Sequence, residues 1–243
     1  SHLATFSLLC GPSTTRILIR QPSSEVISSA TPHSPMNGDI RLTEPSIITA
    51  ELQQWNGHSW LLKEKYGATT ISEILRHFCP KEQIGFDQHL DTIPITGPFW
   101  TGAFAYDLVQ WTQPIRLQNP PDAGSVLGVL WLVEDWQEAP AGEIDSGDLA
   151  PTISVEGEVS SHTDAEHAAG VQRVKDAITA GELYQLNLGR TWSAPLTDDP
   201  CTIFRRLTRT NPAPFSGFME VADLGLSLVS CSPEILVDMD GST

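Results

Sequence analysis

Short apolar runs separated by turn residues open the chain. Leu8-Leu9-Cys10 and Ile17-Leu18-Ile19 flank Gly11-Pro12-Ser13 within residues 3–27, a pattern that predicts two strands joined in the manner of a hairpin. Residues 28–46 carry Ser, Pro, Asn and Gly and predict a loop. Residues 47–62 read as extended, with a turn at Asn56-Gly57. The first helix is predicted over 70–79. Thr70 and Glu73 are spaced as a capping box, Ile71, Ile74, Leu75 and Phe78 share one face, and Pro80 ends it. The Gly/aromatic segment 97–107 reads as a loop whose glycines let rings pack on backbone. A Pro-rich loop at 114–124 precedes the nearly all-apolar run 126–135, which predicts a buried central strand. Residues 138–150 hold almost no large apolar group and read as a linker.

The strongest helical period runs over 164–180. Thr163 and Glu166 supply a second capping box, Val171, Val174 and Ile178 line one side, and Gly181 stops the helix. A strand is predicted from Leu183 to Trp192. A third helix starts at Asp199-Pro200, with Ile203, Phe204 and Leu207 inside and Arg205, Arg206 and Arg209 outside. Strands at 215–221, 225–231 and 235–239 follow, with a turn at Ser232-Pro233. Hairpins mixed with separated helices indicate an α+β fold with mainly antiparallel sheets.

Charge changes the functional picture more than size does. Fourteen Lys and Arg stand against 30 Asp and Glu, a formal charge of −16 over 243 residues. Such a field repels nucleic acid and anionic membrane, so neither is an expected partner. An anionic substrate would need local cations or a metal. No apolar run approaches the roughly 20 residues of a membrane span. The start has no basic region ahead of its apolar stretch and does not read as a signal peptide. Cys10, Cys79, Cys201 and Cys231 form no CxxC and fit unpaired thiols in a reducing, cytoplasmic setting.

Several chemistries find no support in the pattern. The glycines of 97–107 make neither a phosphate loop nor a dinucleotide fingerprint. The seven histidines form no HxH and no i,i+4 pair, so no metal site of histidines is indicated. A GxSxG elbow is missing. Two segments stand out. In Gly181-Glu182-Leu183-Tyr184-Gln185-Leu186-Asn187-Leu188, polar side chains interrupt an apolar strand. A buried unpaired amide costs about 1–3 kcal/mol, so Gln185 and Asn187 should have defined partners. Periodicity alone reads them as structural hydrogen bonders rather than ligand contacts. The second segment pairs Asn211-Pro212-Ala213-Pro214-Phe215, a rigid apolar wall, with Ser232-Pro233-Glu234. After Ser-Pro, a glutamate is first a turn residue. Partly desolvated, its pKa would rise and it could donate a proton.

Taken in order, these segments resemble the chorismate-utilising enzymes, specifically aminodeoxychorismate synthase component I and the related anthranilate synthase component I. Leu8-Leu9-Cys10-Gly11 looks like the family's Leu-Leu-x-Ser stretch, and Pro98 to Leu108 is similar to its "PF.GG..G...YDL" segment. Gly181 to Leu188 resembles "GD.YQVNL", Asn211 to Phe215 looks like "NPAPF", and Ser230 to Glu234 like "S.SPE". The "QxNL" and "APF" forms favour the aminodeoxychorismate branch.

The resemblance implies antiparallel sheets packed face to face with helices outside. It implies a tryptophan-pocket-type subdomain over 1–150 and the start of a chorismate-binding catalytic domain over 151–243. It implies a reaction in which ammonia from a glutamine amidotransferase subunit replaces the 4-hydroxyl of chorismate, giving 4-amino-4-deoxychorismate for folate and para-aminobenzoate synthesis. Glu234 matches the general acid that protonates the poor leaving group. Cys10, Tyr184, Asn187, Pro214 and Phe215 match positions around a tryptophan pocket, which leaves tryptophan as an optional ligand. Cys10 stands where the family has serine, with one residue fewer before Gly11. The family's Mg²⁺ glutamates and nucleophilic lysine fall after Thr243 in this pattern, and its first strand before Ser1. The resemblance therefore implies a fragment that is inactive alone; the alternatives are a fragment of anthranilate synthase component I and a non-catalytic amino-acid-binding or amidotransferase-docking module.

Overall fold

The computed structural model describes residues 6–10, 12–21, 47–79, 98–113, 115, 117–140, 157–196 and 198–234. Two compact units divide them, one within residues 5–142 and one within 143–234. The first unit is built on the strands β1 (Phe6–Cys10), β2 (Thr15–Arg20), β3 (Ile48–Trp55) and β4 (Trp60–Ala68), the helix α1 (Ile71–Phe78), and the strands β5 (Phe99–Phe104), β6 (Val126–Val133) and β7 (Trp136–Pro140). Its main sheet is antiparallel, with strand order β4-β3-β2-β6-β5.

Alternation explains this sheet. Ile17 and Ile19 of β2 face the same side as Ile48 and Ala50 of β3 and join Leu127 and Leu130 of β6 in the core. The predicted run 126–135 is thus an interior strand, between β2 and β5. Leu18, Val129 and Val133 are buried too, so both faces of the sheet centre lose water. Helix α1 closes the core with Ile71, Ile74 and Phe78. Each such side chain contributes about 1.5–3 kcal/mol by leaving water. Its cap is half of the expected box. The Thr70 hydroxyl accepts the Glu73 N–H at 3.3 Å, whereas the Glu73 carboxylate reaches one residue further back and accepts the Thr69 N–H at 2.9 Å. Cys79 follows α1, and burial pushes its thiol up to about 11. Pro80 lies outside the described residues.

Arg16 is the buried exception, 2% exposed among apolar neighbours. Its Nε donates to Gln53 Oε1 at 2.9 Å, and its guanidinium lies 4.1 Å over the Trp60 ring. Gln53 passes the contact on to Glu51 at 3.0 Å. A buried cation is tolerable on these terms: hydrogen-bonded, stacked and linked to a carboxylate.

Three expectations for this unit need correction. β1 and β2 do not form a hairpin. β1 pairs with β7 in a separate two-stranded sheet, while β2 pairs with β3 and β6. Ser13 carries the chain between the sheets, its hydroxyl donating to Leu132 O at 2.6 Å. The segment 97–107 is not a loop over its described part but edge strand β5 followed by a 3₁₀ helix, Tyr106–Trp111, that buries Leu108 and Trp111. Residues 138–140 of the expected linker belong to β7. The turn at Asn56-Gly57 does form: Asn56 Oδ1 accepts the His58 and Ser59 N–H groups, each at 2.9 Å, and Gly57 takes φ +98°.

The second unit holds β8 (Val159–Ser160), α2 (Asp164–Thr179), β9 (Trp192–Ser193), α3 (Pro200–Thr210), β10 (Phe215–Val221) and β11 (Leu226–Ser232). β8 pairs with β9 and β10 with β11, both antiparallel. The two units together are α+β with mainly antiparallel sheets, as the pattern predicted. Residues 235–239, read as a further strand, lie outside the described residues.

The start of α2 carries the full capping box, with Thr163 N–H donating to Glu166 Oε2 at 2.8 Å and Glu166 N–H to Thr163 Oγ1 at 3.2 Å. The bond from the Thr163 N–H, first, and its hydroxyl hold the Glu166 carboxyl below its ordinary 4.5. The sign follows: the cap's contribution is present above pH 4.5 and is lost as pH falls through the lowered folded value. Amide exchange of the first α2 turn is therefore expected to speed up in acid relative to mid-helix amides. In Glu166→Gln, which keeps the acceptor and loses the charge, that relative change is expected to vanish. An unchanged pH response in the variant contradicts the assignment.

Candidate functional site

The candidate chemistry of the second unit depends on how three local structures end. Helix α2 stops in a double closure: Glu182 N–H donates to Ala177 O at 2.9 Å and Gly181 N–H to Ile178 O at 3.1 Å, with Gly181 at φ +75°. This is the 6→1 and 5→2 pair that a left-handed glycine permits. Helix α3 starts as predicted. The Asp199 carboxylate accepts the Thr202 N–H at 2.9 Å and Pro200 occupies the first turn. Phe204 buries against Phe218 of β10, ring centroids 5.9 Å apart, and Asp198 pairs with Arg206 at 2.5 Å.

β10 and β11 form a hairpin in full register, from Val221 opposite Leu226 to Phe215 opposite Ser232, and Gly225 turns it at φ +60°. The Ser216 hydroxyl donates to Ala213 O at 2.9 Å and the Ser232 hydroxyl to Glu234 O at 2.8 Å. The open end of the hairpin therefore gathers Pro214, Phe215 and Glu234. Pro214 is half-buried, while Phe215 and Glu234 are exposed. A carboxyl group beside a proline-phenylalanine wall can exchange protons with a ligand seated there.

Tyr184 and Asn187 occupy a different stretch. The strand expected from Leu183 to Trp192 shrinks to Trp192–Ser193. No strand among the described residues pairs with 183–190, and an unpaired strand has no ladder to hold it. Tyr184 is 91% exposed. Asn187 and Gln185 are exposed as well, so water can serve the amides that burial would have forced to find protein partners. Val171 and Ile178, the expected inner side of α2, are exposed too, and Gly170 is the buried residue of that helix. Cys10 ends β1, in the first unit, and is exposed.

Sequence reasoning missed one constellation. Arg190 donates from Nε to Ser160 Oγ at 2.8 Å, pairs with Asp164 at 2.6 Å and stacks 4.6 Å over the Trp192 ring. The signal was present: Arg and Trp two apart in extended chain point the same way. Nearby, a shallow cleft is lined by His162, Glu166, His167 and Arg173 with Leu188 and Gly189. None of the six residues named by the resemblance lines it. Among the described residues no three His, Cys, Asp or Glu side chains converge to hold a metal ion. Among the described residues no helix is long and apolar enough to cross a membrane.

A family model described as chorismate binding enzyme matches residues 47–243. An anthranilate synthase of Azospirillum brasilense is 27% identical over 244 aligned positions, covering 90% of this chain and 28% of the relative. An aminodeoxychorismate synthase component 1 of Streptomyces lividans is 31% identical over 160 positions, 56% of this chain and 33% of its own length. An anthranilate synthase component 1 of Cereibacter sphaeroides is 34% identical over 110 positions, 45% of this chain and 21% of its own. The chain thus spans a third or less of each of these relatives.

Proposed function

The chain belongs to the chorismate binding enzyme family, and from that premise we propose that it forms part of an aminodeoxychorismate synthase component I. The observation that carries this reading is the family match over residues 47–243, which takes in both Asn211–Phe215 and Ser232–Glu234. In this reading Glu234 is the general acid at the hairpin's open end. It gives its proton to the 4-hydroxyl of chorismate, the C–O bond breaks and water leaves. Ammonia from an amidotransferase subunit forms the new C–N bond, and its surplus proton restores the carboxyl group. Hydroxide leaves poorly, so protonation at that oxygen is the assistance the step needs most. Tyr184, Asn187, Pro214 and Phe215 are proposed to read tryptophan. A reducing, cytoplasmic setting belongs to the same proposal, supported by four unpaired thiols.

A second reading, anthranilate synthase component I, is favoured by the Azospirillum brasilense relative, whose alignment covers 90% of this chain. Product identity separates the two. Chorismate, Mg²⁺ and ammonium are supplied to the 243 residues alone and to the same residues within a chain of the relatives' length. The expected result is no product from the first and 4-amino-4-deoxychorismate from the second. Anthranilate from the second replaces the first reading with the other. Turnover by the 243 residues alone overturns the claim that they are one part of the catalyst, and no product from either overturns the assigned activity.

A further inference from the structure

The segment Leu183–Gly189 bends at Tyr184, is exposed and lies outside any described ladder, yet both of its ends are fixed. At one end stands the glycine closure of α2. At the other, the chain from Leu188 to Trp192 is fastened to residues 160–170 by three kinds of contact and braced within itself by a fourth. Leu188 packs over Gly170 so closely that a Cβ added there would lie 2.9 Å from Leu188 Cδ2. Arg190 Nε donates to Ser160 Oγ at 2.8 Å. Thr191 N–H donates to Ser161 Oγ at 3.0 Å, while Ser161 N–H donates to Thr191 O at 2.8 Å. The Arg190 guanidinium covers the Trp192 ring.

We infer that Arg190 is a positioning residue, which fastens the Tyr184–Asn187 strap to Ser160 of β8, ahead of α2, through the fork and flat face of its guanidinium rather than through its charge. The burial of the two ion-pair partners carries the distinction. The Arg190 side chain is 16% exposed, whereas that of Asp164 is 96% exposed, and an ion pair to so exposed a carboxylate is worth little. An ammonium could donate to the hydroxyl or sit over the ring, but only a planar guanidinium holds the bond to Ser160 and lies flat on Trp192 at once. The role in ligand recognition rests on the reading that Tyr184 and Asn187 contact tryptophan. The fastening itself does not.

The test compares the parent with Arg190→Lys, Arg190→Ala and Asp164→Ala. Amide exchange is followed at Thr191 and Ser161, the hydrogen-bonded amides of the fastening, with α3 and the β10–β11 hairpin as internal controls, and L-tryptophan binding is measured by calorimetry. Both Arg190 variants are expected to speed exchange at these two amides about tenfold or more and to leave the controls unchanged. Asp164→Ala is expected to stay within about twofold of the parent. Tryptophan affinity should fall at least about fivefold in both Arg190 variants at an unaltered melting temperature. Parent-like exchange in Arg190→Lys, or an effect of Asp164→Ala as large as that of Arg190→Ala, overturns the inference. Faster exchange with unchanged tryptophan affinity keeps the fastening and overturns the strap's role in recognition. Should the parent bind no tryptophan, the tryptophan reading fails, and the exchange comparison alone decides the fastening.

Discussion

Glu234→Gln, introduced into a chain of the relatives' length, is expected to lower kcat about 10²- to 10⁴-fold, the usual contribution of one positioned proton donor. KM for chorismate should change by no more than about threefold, since an interaction made only while the C–O bond breaks is lost from kcat and not from ground-state binding. The melting temperature should not move. Glu234 is exposed, and its one hydrogen bond among the described residues is through the backbone carbonyl, which accepts from Ser232 and survives the substitution. Glu220→Gln, at an exposed position on the same hairpin, is the control and should retain parent kinetics. A Glu234→Gln enzyme within about twofold of the parent removes the acid from this residue. A variant that loses stability along with rate reveals a structural carboxylate instead.

Features set by neighbouring residues were legible in the sequence. Thr163 and Glu166, Asp199 and Pro200, and the Asn56-Gly57 turn all did what their spacing predicts, because the groups that satisfy one another lie within four residues. The apolar run of β6 was legible for another reason, since a strand buried on both faces leaves no polar positions to alternate. Pairing was not legible. Gly11-Pro12-Ser13 has the composition of a hairpin turn, yet Leu8 lies opposite Glu138 and Ile17 opposite Leu52 and Leu130. Such choices depend on contacts far apart in sequence, which turn chemistry does not encode. The Leu183–Trp192 reading failed because alternation indicates what a strand would bury only where a partner is present. The candidate site divides along the same line. Residue order identified Pro214, Phe215 and Glu234, and the hairpin register brings them to one end. The exposure of Tyr184 and the Arg190 fastening are properties of tertiary structure and left only a faint Arg-x-Trp trace.

The largest expected loss of stability is at Gly102. It sits in edge strand β5 opposite Leu130 of β6, and its φ is ordinary, so backbone freedom is not the reason for glycine. The reason is proximity. A Cβ built there falls inside contact distance of the Val129 carbonyl oxygen and lies 2.8 Å from the Leu130 Cα. Both are backbone atoms of an interior strand held by β2 on its other side, so they cannot yield as a side-chain tip would. Gly102→Ala must therefore push β5 off β6, uncovering Leu130 and Trp100, and overpacking of this kind costs about 3 kcal/mol or more. Gly102→Val should cost more still. Thermal unfolding of the first unit is expected to fall by roughly 10 °C or more, with faster exchange along β5 and β6 and parent-like exchange in α1. Gly57→Ala supplies the contrast, because nothing lies within 4 Å of its added Cβ and only the φ of +98° opposes it. That strain costs about 1 kcal/mol. If Gly102→Ala unfolds no earlier than Gly57→Ala, β5 and β6 tolerate a wider spacing than the register indicates, and close backbone approach is not what this edge requires.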